Sequence, residues 1–367
     1  MALILTFLGK NGISCSKSAI AAAKLMASQG KRVLLAAQTE PILPLLLGQP
    51  ISADPEEIAS NLQVVQLQAS VLLERSWEEV KKVEAQYLKT PILKEVYGQE
   101  LTILPGMDNA LALNAIREYY ESGKYDVIIY HGAGDLSTLR MLGMPESMSW
   151  YARRFRKVFD NSDLGRTIKD SGPLIQPLIG TLFNIDWTAD NFSQPTNKVN
   201  NFLDKGKEAV SNPRQAAAFL VTSGDIFEVS AARFLWGSAQ QTGLTVGGVI
   251  SISDEPLANL IEEFPGIPVT TIPELKDSNW QPLIDAMPNL VEQAIEAPKP
   301  MEIDINNSQV RLFLPGFDKK DVKLSQSGPE VTIEAGDQRR NIFLPAPLSG
   351  KQVTGAKFQN PYLIISF

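Results

Sequence analysis

The first 37 residues constrain this chain more than any other stretch. Ala2–Leu8 (ALILTFL) is apolar and uncharged, the pattern of a strand buried on both faces of a sheet. It runs into Gly9-Lys10-Asn11-Gly12-Ile13-Ser14-Cys15-Ser16-Lys17-Ser18. Ala19–Ser28 reads as a helix stopped by Gly30, and Arg32–Ala37 as a second apolar strand. Strand, glycine-bearing loop, helix and parallel strand form the unit that presents free amides at a helix N-terminus, where phosphates are held.

The loop resembles the deviant phosphate loop (GKGGxGKT) of the ATPases that drive arsenite export and target tail-anchored membrane proteins. Gly9, Lys10 and Gly12 match without gaps, and the distance to the next strand fits. In this register Ser14 replaces the last glycine, Cys15 the phosphate-gripping lysine and Ser16 the magnesium-ligating threonine. The resemblance implies an α/β, doubly wound, mostly parallel P-loop NTPase sheet with a helical subdomain. It also implies ATP and Mg as cofactors, with Gly9, Lys10, Asn11, Gly12, Ile13, Ser14, Cys15, Ser16 and Lys17 at the nucleotide and Ser16 toward the metal. Lys10 matches the family's additional lysine, which reaches across a homodimer to the partner's nucleotide.

A neutral thiol cannot follow charge to the β- and γ-phosphates as an ammonium does. The loss of one charge-assisted contact costs roughly 1.5–3 kcal/mol, about one to two decades in affinity or rate. A shifted register makes Ser16-Lys17-Ser18 the GK[ST] element and restores a lysine, but it discards the Gly9-Lys10 match.

Further segments of the same resemblance follow in order. Gln38-Thr39-Glu40-Pro41 falls where the family has an aspartate-proline pair that positions the attacking water, so Glu40 joins Lys10 as a candidate catalytic residue. The apolar run Ile42–Leu47 is expected to pack inward. Ser52–Gln99 reads as helices and Leu101–Leu104 as a short strand. Pro105-Gly106-Met107-Asp108-Asn109-Ala110-Leu111-Ala112 resembles the family's PGxDEALA segment. Asp126–Tyr130 is another buried strand, and the Thr138-Leu139-Arg140 match beyond it places His131, the single histidine, at the Walker B aspartate. An imidazole cannot reproduce the carboxylate that organises the magnesium water shell. Asp135 is a partial substitute, and a neutral, hydrogen-bonded structural role is the alternative for His131.

Met141–Asn212 is irregular. Met141, Met144, Met148 and Trp150 fall near helical spacing, and Leu174–Ile185 is apolar but interrupted by Pro177 and Gly180. In the tail-anchor-targeting relatives, helices at this point form a groove for hydrophobic client segments. Met141, Met144, Met148, Trp150, Leu174, Leu178, Leu182 and Phe183 are therefore the client-groove candidates, although methionines at helical spacing also suit a core. Ala216–Val221, a helix at Ile226–Gln241 and Thr245–Ser251 form another βαβ crossover, and Ile284–Ala297 is a closing helix.

After the linker Ala297-Pro298-Lys299-Pro300 the pattern becomes short alternating runs separated by turns, from Met301 to Phe367. Leu314-Pro315-Gly316-Phe317 with Lys320-Asp321-Val322, and Ala356 through Asn360 to Leu363, resemble the conserved segments of α-crystallin domains, so a small all-β sandwich is expected. The organisation expected is 1–297 for the ATPase-like domain, with helical client-groove insertions at about 52–99 and 141–212, and 298–367 for the sandwich. The combination resembles the α-crystallin-bearing branch of the family.

Composition limits the rest. With 44% hydrophobic and 20% charged residues the chain is ordinary globular material, and its net charge of -7 argues against nucleic acid or anionic lipid as partners. One cysteine excludes an internal disulfide and the cysteine sets needed for interfacial zinc or arsenite. No leader is recognisable and no apolar run reaches the ~18 residues of a spanning helix, so a cytoplasmic location is expected. Two functions fit these observations: a nucleotide-dependent homodimeric chaperone or targeting factor for hydrophobic segments, or a pseudo-ATPase on the same fold whose hydrolysis was lost at Cys15 and His131.

Overall fold

The computed structural model describes residues 2–38, 41–87, 93–160, 195–255, 259–359 and 361–367. Its centre is a sheet built from β1 (Leu3–Leu8), β2 (Val33–Gln38), β3 (Glu56–Ala59), β4 (Leu62–Leu67), β5 (Val127–His131), β6 (Ala216–Thr222), β7 (Thr245–Ile252) and β8 (Val269–Ile272). The strand order is β3-β4-β2-β5-β1-β6-β7-β8. Every pairing is parallel except that of β3 with β4. Both faces are covered because strand side chains alternate. Leu34, Ala36, Ile128 and Tyr130 enter one core, while Leu35, Ala37 and Ile129 enter the other.

The helices are α1 (Gly12–Ser28), α2 (Ile42–Leu47), α3 (Ala69–Tyr87), α4 (Met107–Glu121), α5 (Leu136–Leu142), α6 (Met144–Asp160), α7 (Pro195–Ser211), α8 (Ile226–Gln241), α9 (Asn259–Glu263), α10 (Gln281–Ala286) and α11 (Leu290–Glu296). Several differ from the sequence expectation. The first half of the 52–99 insertion is a strand pair, because Leu62-Gln63-Val64-Val65 presents alternate side chains to the two cores and Asn61 takes positive φ at the turn. Leu101–Leu104 makes no ladder and is largely exposed. The closing helix is two short helices separated at Met287-Pro288, where proline cannot continue a helix. The run Ile42–Leu47 is a helix in which Leu43 is buried and Leu45 is 80% exposed, so it packs inward only in part.

Seven further strands make the sandwich: β9 (Met301–Asp304), β10 (Gln309–Phe313), β11 (Lys323–Ser327), β12 (Glu330–Ala335), β13 (Gln338–Phe343), β14 (Gly355–Gln359) and β15 (Tyr362–Ser366). One sheet has the order β14-β15-β10-β9 and the other β11-β12-β13. Val310, Leu312, Val331, Ile333, Ile342, Leu363 and Ile365 fill the space between them. The C-terminal strand β15 lies between β10 and β14, so neither of its edges is open.

The sandwich is seated on α8. Phe313 belongs to the core beneath that helix and meets Trp236 edge-on at 5.6 Å, while Phe317 meets Phe234 at 6.0 Å. The backbones approach closely: a Cβ on Gly316, whose φ is +77°, would lie 2.5 Å from the Arg233 carbonyl oxygen. On the α6 side the Trp150 indole N–H donates to Glu330 at 3.2 Å, and Arg140 pairs with Asp337 at 2.6 Å.

Candidate functional site

Three loops meet at the carboxyl edge of the parallel sheet, where open α/β sheets bind ligands. Gly9 follows β1, Gly134 follows β5, and Val221 to Ser223 close β6. The Gly9 N–H donates to the Gly134 carbonyl at 2.9 Å. A Cβ on Gly9 would stand 2.5 Å from the Val221 carbonyl oxygen and 3.1 Å from Cys15 Sγ, so only glycine allows this approach.

The stretch read as a loop is mostly helix. α1 begins at Gly12, one turn or more before the position expected from Ala19, so Gly12 to Ser18 lie in its first two turns. The cause is local. A phosphate loop holds its backbone open at a glycine, and Ser14 stands there instead. Asn11 is in turn a strong N-cap, with extended backbone at φ -94° and ψ 101°. Its side-chain oxygen accepts the Ser14 N–H at 3.3 Å, and its carbonyl oxygen accepts the Cys15 N–H at 3.0 Å. Its Nδ2 donates to Glu228 Oε1 at 3.4 Å, and Glu228 Oε2 accepts the Ser223 N–H at 2.7 Å. The first turn of α1 is thus capped by the protein itself and tied to the head of α8.

Cys15 points back into the core and is 1% exposed. Burial first, and the Glu228 carboxylate second, push its thiol up to about 12. Ser16 is fully buried; its Oγ lies 2.9 Å from the Gly12 carbonyl and 2.9 Å from His131 Nε2. A hydroxyl has one proton: donated to Gly12, it leaves the oxygen to accept from Nε2–H. Lys17 is drawn away into an ion pair with Glu274 at 2.6 Å, which also removes the shifted register as a phosphate grip. Lys10 and Ile13 are exposed at the tip. Asp135 caps α5, accepting from the Ser137 N–H at 2.8 Å and its hydroxyl at 2.7 Å, so it is committed to the helix rather than to a metal. Glu40 lies outside the described residues.

A triphosphate bound in the manner the loop resemblance implies requires free amides at the head of α1, a lysine beside them and a carboxylate ending β5. One of those amides, that of Ser14, is taken by the Asn11 side chain, and the Cys15 amide makes the first backbone bond of the helix. A buried thiol and a hydrogen-bonded imidazole occupy the other places, and the Glu228 carboxyl lies against the cap. The residues present do not fit Mg–ATP in that manner.

Two features escaped sequence reasoning. Glu228 is third after the N-cap Asp225, and that D-x-x-E spacing at a helix start was its signal. The Tyr130 hydroxyl donates to Gln38 at 2.8 Å and the Gln38 amide donates to Asn109 at 3.0 Å, joining β5 and β2 to the Pro105-Gly106 segment. Among the client-groove candidates, Met141 is a core residue, 1% exposed beneath α5. Met144 and Met148 are half-buried, and Trp150 is docked against Glu330. Leu174, Leu178, Leu182 and Phe183 lie outside the described residues.

Comparison with known proteins is consistent with this architecture. The profile of the family described as Anion-transporting ATPase matches residues 2–251, and that of an HSP20-like domain found in ArsA matches residues 305–367. A Chlorobaculum tepidum protein named as an arsenical pump-driving ATPase is 24% identical over 396 residues, covering 99% of this chain and 95% of the relative. An Aquifex aeolicus protein of similar name is 21% identical over 404 residues, 99% of each chain. The Paramecium tetraurelia protein named ATPase ASNA1 homolog 1 is 26% identical over 145 residues, 38% of this chain and 43% of its own.

Proposed function

This chain belongs to the anion-transporting ATPase family, and from that premise we propose that it is a pseudo-ATPase: a homodimeric, cytoplasmic scaffold that holds hydrophobic protein segments without hydrolysing ATP. The observation that carries this reading is the capped head of α1, where the Asn11 side chain takes the Ser14 amide, the Cys15 amide is bonded along the helix, and Glu228 is tied to the cap. A nucleotide-driven switch of the dimer would need those donors free. Loss of the lysine alone would leave a weak nucleotide site. Loss of the lysine, the β5 carboxylate and the open amides together, with Glu228 at the cap, favours a scaffold over a slow enzyme.

Clients fall to the helical face that begins at α6. Trp150, Tyr151 and Leu324 line a cleft of about 720 Å³ between α6 and the three-stranded sheet of the sandwich. Its other walls are polar, which suits the end of a hydrophobic segment better than its middle. The division after Ala297 then separates an ATPase-like body from a sandwich that braces the holding face.

Titration of Mg–ATP into the wild-type chain, with phosphate release measured in parallel, tests the reading. No magnesium-dependent turnover is expected, in wild type or in Lys10→Ala. Turnover present in wild type and abolished in Lys10→Ala would restore the nucleotide-dependent targeting factor.

A further inference from the structure

The junction between the sandwich and the ATPase-like body contains a buried cation that no carboxylate among the described residues meets at ion-pair distance. Arg340 on β13 is 6% exposed, and among the described residues its guanidinium donates one hydrogen bond, from Nη1 to the Gln240 carbonyl at 3.0 Å. Among the described residues its Nε has no hydrogen-bond partner and no carboxylate stands at ion-pair distance, Glu146 acting on it only from further off. A guanidinium stays protonated even where burial opposes it. Beside it Gln241, 2% exposed, leaves both its amide nitrogen and its amide oxygen unpartnered.

Both side chains line a cavity of about 210 Å³ shared with Arg140, Glu146, Asp337 and Arg339. The other charges are answered. Arg140 pairs with Asp337 at 2.6 Å, Arg339 with Glu334 at 2.8 Å, and Glu146 faces Lys207 at 3.7 Å. Glu146 thus faces two cations, Lys207 and Arg340, and one positive charge of the cluster is left over. Water can fill the space and solvate the guanidinium, but only an anion would add the counter-charge that the cluster lacks.

We propose that this cavity is a binding site for a small oxyanion, held by the Arg340 guanidinium and the Gln241 amide, which ties β13 of the sandwich to the C-terminus of α8. Carboxylate and phosphate both present a two-oxygen edge to which a guanidinium donates. This site is remote in sequence and role from the closed head of α1, and it stands whether or not the chain turns over ATP.

The test is thermal melting and calorimetric titration of the full chain in phosphate, sulfate or acetate against chloride at equal ionic strength. A saturable, single-site rise in melting temperature is expected in at least one oxyanion. A response to phosphate and sulfate alone assigns the site to tetrahedral anions, and a response to acetate assigns it to carboxylates. Arg340→Met should lose the response, with binding weakened at least tenfold. Gln241→Glu puts a carboxylate into the same cavity and should raise the melting temperature in chloride while abolishing the oxyanion response, which keeps the test open should Arg340→Met fail to fold. Equal melting in all salts, or a rise that persists in Gln241→Glu, overturns the proposal.

Discussion

Ser16 Oγ and His131 Nε2 lie 2.9 Å apart, both closed to solvent, at the two positions from which the loop resemblance would have a threonine and an aspartate address magnesium. The pair joins α1 to the end of β5 across the sheet's carboxyl edge. A hydroxyl and an imidazole at hydrogen-bonding distance thus clamp α1 to the end of β5.

His131→Leu fills similar volume but removes the Ser16 partner across the sheet edge, while the Ser16 hydroxyl keeps its bond to the Gly12 carbonyl. The expected loss is about 1–3 kcal/mol, read as a lower urea midpoint with an unchanged slope. His131→Asp should not generate ATP turnover, because the amides at Asn11 remain occupied. Turnover in that variant, with stability kept, would mean that the clamp is a metal site.

Cys15 should be inert in the native chain. A free thiol titrates near 8.5, so at pH 8 about a quarter is thiolate, whereas a group near 12 has about one part in ten thousand. Disulfide reagents should therefore react about a thousandfold more slowly with folded than with unfolded protein. The sign of the pH dependence follows. The folded-state value lies above the unfolded one, so this contribution is complete below the unfolded pKa near 8.5. It falls as pH rises from there toward 12, because only the unfolded chain releases its proton. Urea midpoints that hold level from pH 8.5 to 10.5 would contradict this environment for Cys15.

Strands with a continuous apolar composition were legible: Leu3–Leu8, Val33–Gln38, Val127–His131, Ala216–Thr222 and Thr245–Ile252 all fall within a residue or two of where the sequence puts them. The sandwich was equally legible, because alternation and turn residues fix each short strand. Pairing partners decide the rest. Leu62–Leu67 reads as helix until β2 supplies an edge for it to pair with. The site was legible only as a position in the chain. Nothing in Gly9 to Ser18 says that Asn11 caps the helix, since that depends on Ser14 having no reason to hold the backbone open and on Glu228 arriving from far along the sequence. Met141 shows the same limit, because helical spacing does not distinguish a groove from a core.

The seat of the sandwich on α8 depends on Gly237. A Cβ there would press into the Pro315 carbonyl and the Phe317 ring. Gly237→Ala improves helix propensity by up to about 1 kcal/mol, yet the expected outcome is a loss of about 1–3 kcal/mol from overpacking at the junction. The signature is a separate, earlier melting step for the sandwich in calorimetry and faster proteolysis at the 297–300 linker. A single transition at or above the wild-type temperature would show that the two units do not depend on this contact.

The closure at Asn11 can be reversed at little cost. Asn11→Ala removes the cap and should destabilise the chain by about 1 kcal/mol, while Asn11→Gly, itself an acceptable N-cap, should cost only a few tenths. Asn11→Gly also releases the Ser14 amide and the contact with Glu228. The carboxylate still opposes an anion, so the single variant should bind pyrophosphate little better than wild type. Asn11→Gly with Glu228→Gln removes both side-chain obstacles, the Cys15 amide staying bonded to the backbone carbonyl of residue 11, and is expected to bind at least tenfold more tightly, a change of about 1.4 kcal/mol. Lys10 alone remains to attract the ligand, so the gain should shrink with added salt. If the double variant folds like wild type and still ignores pyrophosphate, then Asn11 is not what closes the site. The packing of Ser14 and Cys15 into the helix would then be the barrier, and no single substitution at the loop could restore a phosphate site.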